Sequence, residues 1–366
     1  MAAAGLAGTV TVAPSAAPSQ AGVSWLTRER YRGLFAYPPT PFAPDLTLDE
    51  EALRSNFKKL IRVGVDGIVV AGSTGEFYTL TDSEHRRIGE ILREETRGTG
   101  VIGVLGATGL NTQEVIRRVS AAMEVGLDAV LAMQPFYVPL NRRELLAFWE
   151  EVSKACPNIG IIIYHYDWVR QEYTADIYRA LEKYPNIVGS KEGHFDFRKW
   201  RSFQTDSPLV HMSATDMGWL VEMYKLGAPG LGSVSFSLMP HVIQKVLKLC
   251  GEGKYDEAER AYAPYTEWVG RLRSGGGRPY LFPSELSGWR EYGGAARGKA
   301  LTDAFGFLKA GPPRPPAIPL PADLQKQMKD YLLAHCPELI PPPNFAESVP
   351  AGTKLWVRRK APERAS

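Results

Sequence analysis

The chain is short of several features that would each have fixed its class. Only three cysteines occur in 366 residues, Cys156, Cys250 and Cys336. That odd, widely spaced set offers neither a disulfide framework nor metal-ligand spacing, and free thiols suit a reducing compartment. No block of one charge precedes the last few residues: 43 Lys and Arg stand against 40 Asp and Glu, a formal net charge of +3. The footprint of a nucleic-acid binder is therefore missing. Residues 1–27 are rich in Ala, Gly, Ser and Pro but lack the early positive charges and the continuous apolar stretch of a signal peptide. A cytoplasmic protein with no membrane partner is the expectation. No His/Asp/Glu cluster at ligand spacing predicts a metal, and no glycine fingerprint for phosphate predicts a nucleotide.

What is present is an ordinary globular composition, 44% hydrophobic and 23% charged, arranged in a repeat. Short apolar runs at 33–37, 67–71, 101–105, 129–133, 159–164, 187–191, 209–212 and 230–233 alternate with longer amphipathic ones. Helix starts fall between them, marked by Thr47 with Glu50, Thr81 with Glu84, Asn111 with Glu114 and Asn141 with Glu144. In each pair the first side chain is placed to cap an orphan N–H. Eight such units predict a closed (β/α)8 TIM barrel over 31–252. Helical patterns at 254–273, 295–308 and 322–333 predict a C-terminal helical extension over 253–335, architectural in role. A disordered N-terminal arm, 1–30, and a Pro-rich then basic tail, 336–366, are expected outside the folded unit.

Barrel enzymes keep their chemistry at the C-terminal ends of the strands. Lys191 ends the apolar run Asn186-Ile187-Val188-Gly189-Ser190-Lys191. An amine attacks a carbonyl only when unprotonated, which a desolvated strand end favours, so Lys191 is a candidate imine-forming nucleophile. After strand two, Gly72-Ser73-Thr74-Gly75-Glu76 is a tight turn able to aim hydroxyls and N–H groups at a carboxylate. Tyr164 ends strand five and is a candidate proton carrier.

Together with Thr40-Pro41-Phe42, Pro135-Phe136-Tyr137 and the strand-eight run from Gly227 to Val234, these residues resemble the family of N-acetylneuraminate lyase and dihydrodipicolinate synthase. That family comprises pyruvate-handling class I aldolases and related dehydratases, and the resemblance covers about 34–333. It implies that Lys191 forms an imine with pyruvate or another 2-oxo acid. It further implies that Tyr164 shuttles protons, that Ser73 and Thr74 hold the carboxylate, and that Thr74 links Tyr164 to Tyr137 in a relay. In many members this last tyrosine reaches in from a neighbouring subunit, so a homo-oligomer, dimer or tetramer, is implied. Gly232, His165, His194 and Arg170 complete the candidate substrate contacts, with no cofactor and no metal.

The chain departs from the family at Tyr164-His165-Tyr166-Asp167-Trp168-Val169-Arg170. Dihydrodipicolinate synthases carry an arginine for the second substrate where Val169 stands, which weighs against that synthesis. Tyr166 and Trp168 are candidate walls for a bulky aldehyde, and the run from Leu308 to Pro316 is similar to the end of hydratase-aldolases acting on arylidene-pyruvates. The expected activity is a lyase making or breaking a carbon–carbon bond beside a 2-oxo acid carbonyl. A sugar-acid dehydratase and a catalytically silent 2-oxo-acid-binding barrel are the alternatives.

Overall fold

The computed structural model describes residues 25–166, 169–193, 197–213, 219–274 and 287–356. Eight parallel strands close into a barrel in sequence order: β1 (Gly33–Ala36), β2 (Gly67–Val70), β3 (Ile102–Gly106), β4 (Ala129–Ala132), β5 (Gly160–Tyr166), β6 (Ile187–Gly193), β7 (Val210–Ser213) and β8 (Gly230–Ser233). β1 pairs with β8 from Gly33↔Gly230 to Ser233, which shuts the ring. The eight intervals predicted from the sequence are the eight strands.

Around them run α1 (Glu50–Val63), α2 (Asp82–Thr96), α3 (Thr112–Val125), α4 (Arg142–Ala155), α5 (Ala175–Leu181), α6 (Phe197–Asp206), α7 (Leu220–Lys225), α8 (Ser235–Leu238) and α9 (Pro240–Gly251). Thr81 and Asn141 close capping boxes with Glu84 and Glu144, and Asn111 accepts from the Glu114 N–H. The first start differs from expectation. Thr47 is bonded to Asp45, and Asp49 caps α1 by accepting from the Ala52 N–H at 2.9 Å. Either residue type caps well; the Asx turn at Asp45 decides which is free to do so. Leu53, Phe57 and Leu60, spaced by four and three, press one face of α1 onto the sheet. Truncating the fully buried Phe57 to Ala costs about 3–5 kcal/mol.

Two expectations about the termini are corrected. Residues 25–32 belong to the barrel: Leu26 is fully buried in its interior cluster, and its N–H donates to the Asp128 carbonyl at 2.8 Å. The Arg28 guanidinium donates to the carbonyls of Ile187, Glu182 and Tyr184. The segment plugs the N-terminal end of the ring, where apolar strand interiors would otherwise meet water.

The Pro-rich tail also packs, at least to residue 356. α10 (Tyr255–Ser274), α11 (Gly294–Phe305) and α12 (Ala322–His335) are followed by α13 (Phe345–Ser348). Leu339, Ala346, Val349 and Leu355 are buried there, and the Trp356 ring lies 5.3 Å from that of Tyr224. Composition misleads because prolines, with φ already fixed, lose little entropy on ordering. Residues 357–366 of that tail and 1–24 of the arm lie outside the described residues.

Candidate active site

Alternation along β6 sends neighbouring side chains to opposite faces. Lys191 turns into the barrel, while Ser190 and Glu192 turn outwards to the helices. Lys191 is 8% exposed, and its Nζ lies 3.7 Å from the Tyr37 ring centroid and 4.5 Å from that of Tyr164. Among the described residues no carboxylate or hydrogen-bond acceptor meets the amine. Burial alone pushes its pKa down to about 7. A cation over an aromatic face is favoured, so the rings oppose that fall, and desolvation wins because nothing of full negative charge stands near.

Tyr164 is directly paired with Lys191 across β5 and β6, is 7% exposed, and meets the Tyr166 ring edge-on at 5.6 Å. Ser73 and Thr74 sit in the turn after β2, Ser73 exposed and Thr74 half-buried. The turn is tight for identifiable reasons. Thr40 donates its hydroxyl proton to the Gly75 carbonyl at 2.7 Å. A Cβ on Gly75 would stand 2.8 Å from the Ala71 nitrogen, and Ala71 and Glu76 both take positive φ, near 50°.

Glu76, fully buried, anchors the turn from below. Its carboxylate faces the Lys299 amine at 2.7 Å and accepts from the Arg314 N–H at 3.0 Å. The Arg314 guanidinium in turn grips Glu84 through two bonds, of 2.5 and 2.8 Å, and holds that carboxyl at a pKa of about 2. The extension predicted as architectural thus braces the candidate carboxylate-binding turn.

The other sequence candidates are distributed differently. Tyr137 is 86% exposed on the loop after β4, between exposed Phe136 and Val138, and is not among the rings over Lys191. Gly232, buried on β8, leaves room for the Tyr37 ring.

His165 is corrected. It is 2% exposed on the outer face of β5, with Nδ1 2.8 Å from Glu192 Oε2. Its ring sits on that of Tyr173 at 4.8 Å, so substrate contact inside the barrel is not open to it. Arg170 is exposed, with φ 46°, while Val169 packs on the interior cluster. The register that puts Val169 inside turns Arg170 away. His194 and Trp168 lie outside the described residues.

Two features escaped the sequence reading. Tyr37 was counted only as a strand residue, although period-2 alternation from Phe35 places it inside. Glu192 carries no local signal of its own in the sequence, yet it is the hub of a buried network. It accepts from the Tyr178 hydroxyl at 2.5 Å and from Ser190, while Ser190 Oγ also lies 2.7 Å from His211 Nδ1. The same alternation, applied outwards to His165 and Glu192, would have found it.

A closed (β/α)8 barrel with a buried, solitary lysine at the C-terminal end of a strand is an arrangement suited to lyases of the aldolase class. The chain belongs to the dihydrodipicolinate synthetase family, whose model matches residues 30–267, and with it to a family of lyases and aldolases. It is 32% identical over 243 residues to the 4-hydroxy-tetrahydrodipicolinate synthase of Methanospirillum hungatei, covering 64% of this chain and 82% of that relative. Among solved structures it is similar to a prophage protein of the dihydrodipicolinic acid synthase family from E. coli K12 in complex with pyruvate. There the TM-score is 0.72 at 22% identity, over 84% of this chain and 99% of that one. The N-acetylneuraminate lyase of Proteus mirabilis superposes with a TM-score of 0.71 at 20% identity, over 83% and 98%. These two likenesses support the fold; the family rests on the sequence match.

Proposed function

We propose that this chain is a class I aldolase that joins or cleaves the bond next to the carbonyl of pyruvate or a related 2-oxo acid through an imine on Lys191. The observation that carries the reading is the solitary, buried amine with a pKa of about 7, uncharged in a good fraction of molecules at neutral pH. The amine attacks the ketone carbon, the carbonyl oxygen leaves as water, and the protonated imine draws electrons from the adjacent carbon. Loss of a proton there gives an enamine that attacks an aldehyde; the reverse sequence releases one. Tyr164, in register with Lys191, is the proposed carrier of those protons. Ser73 and Thr74 are the proposed donors to the carboxylate, neutral groups that do not repel the imine cation.

Val169 inside and Arg170 outside favour a neutral acceptor over an acidic one. The exposed run Phe136, Tyr137 and Val138 fits burial by a second copy of the chain, which would bring Tyr137 to its partner's site. Pyruvate with borohydride is expected to leave one reduced adduct, on the peptide holding Lys191. Lys191→Arg should abolish both adduct and turnover, since a guanidinium stays protonated. An adduct on another lysine would overturn the mechanism.

A further inference from the structure

One of the two rings over Lys191 is unused by the chemistry above. Tyr37 follows β1, is 3% exposed, and stands nearer the Lys191 amine than Tyr164 does, at 3.7 Å against 4.5 Å. It occupies space that β8 concedes. A Cβ on Gly232 would fall 2.8 Å from a ring carbon and 3.0 Å from the phenol oxygen, and that ring edge cannot swing away freely in a packed interior. Phe35 pairs with Gly232 across the β1–β8 seam that closes the barrel, so ring and glycine form one wall.

We propose that Tyr37 is a specificity-determining residue, a wall on the β1–β8 side of Lys191 that excludes a branch on the carbon next to the 2-oxo acid's carbonyl, with Gly232 making room for the ring. The inference rests on the imine reading of Lys191 and extends it. An imine carbon bears the lysine nitrogen, the carboxylate-bearing carbon and the remaining chain. With the carboxylate directed to the turn after β2, the chain has one side left. A ring in van der Waals contact with the nitrogen closes the β1–β8 face of that chain to a branch, while the opposite face is left for the bond to the aldehyde. The same ring keeps water from the amine, consistent with burial being the sole cause of its lowered pKa. Burial also raises the phenol's own pKa well above its ordinary value, so Tyr37 stays neutral and acts by shape.

The test compares borohydride trapping rates at Lys191, read by peptide mapping, for pyruvate, 2-oxobutyrate and 3-methyl-2-oxobutyrate. The wild type is expected to trap pyruvate much faster than the branched acid. Tyr37→Ala should shrink that ratio by at least about tenfold, the usual worth of one or two methylenes in a fitted pocket, while Tyr37→Phe keeps it. Gly232→Ala should slow pyruvate trapping by about tenfold or more, by driving the ring onto the amine. In the Tyr37→Ala background the same change should cost little. If Tyr37→Ala does not fold, Tyr37→Leu carries the same expectation, since it fills the strand end but withdraws the ring. An adduct at Lys191 with an unchanged ratio, or Gly232→Ala equally harmful in both backgrounds, overturns this proposal alone. No pyruvate adduct at Lys191 in the wild type overturns the imine reading and this proposal with it.

Discussion

Lys191 and Lys299 are both less than a tenth exposed, and burial pushes the pKa of each below that of an ordinary lysine. Their company differs. Lys299 faces the Glu76 carboxylate at 2.7 Å, donates to the Pro312 carbonyl at 2.9 Å and lies 4.0 Å over the Phe42 ring. Glu76 opposes the effect of burial and helps keep that ammonium charged. Among the described residues, Lys191 meets the faces of two phenols and no carboxylate. A buried lysine with a carboxylate is a fastener, here between the C-terminal extension and the turn carrying Ser73 and Thr74. One without a carboxylate has its proton weakly held and its nitrogen available to a carbonyl.

The comparison is sharpened most by replacing each lysine with methionine. Lys191→Met should end turnover completely while raising stability at neutral pH by about 2–4 kcal/mol, because the folded state no longer has to strip a proton from, or bury, a lone ammonium. Urea unfolding beside an activity assay reads both. Lys299→Met should do the reverse. With Glu76 left buried and its cation gone, stability should fall by about 3–5 kcal/mol, and Glu76→Gln in the same chain should recover part of it. Lys191 should still trap pyruvate in Lys299→Met, though at higher pyruvate concentration, because the carboxylate-binding turn has lost its brace. A Lys299 variant of full stability would break the contrast.

Tyr164→Phe comes next. The ring over Lys191 remains and only the hydroxyl goes, so pyruvate binding should change little while kcat falls by about 10²- to 10⁴-fold. Nearly full kcat would remove Tyr164 from the proton path. The smallest effect expected is that of a chelator, which should leave turnover unchanged. Activity lost to EDTA and restored by zinc or magnesium would favour a metal-dependent aldolase.

The barrel was legible because each strand carries its own apolar run and the first four helices their own side-chain cap. Such signals are local, and Thr81, Asn111 and Asn141 act within a turn of where they stand. Lys191, Tyr164 and the turn at Ser73 were legible as strand ends. The rest is tertiary. No local pattern shows that Lys299 reaches Glu76 from far along the chain, that Leu26 plugs the ring, or that residues 337–356 lie against it. His165 differs for another reason: nearness in sequence to Tyr164 is not nearness in space, because along a strand adjacent residues face apart.

The claim that desolvation without a counter-charge makes Lys191 a nucleophile is tested most directly by the pH dependence of its reaction with pyruvate. Initial rates of borohydride trapping on the Lys191 peptide would be followed from pH 5 to 10 in buffers of equal ionic strength. The expected profile rises as the amine loses its proton, with a midpoint near pH 7, the pKa that burial gives it. In parallel, wild-type stability should gain with pH above that midpoint relative to Lys191→Met, because the unfolded chain still binds the proton that the folded one has released. Rates still climbing steeply at pH 10, as for a free lysine of pKa about 10.4, would contradict the account, as would trapping that does not depend on Lys191.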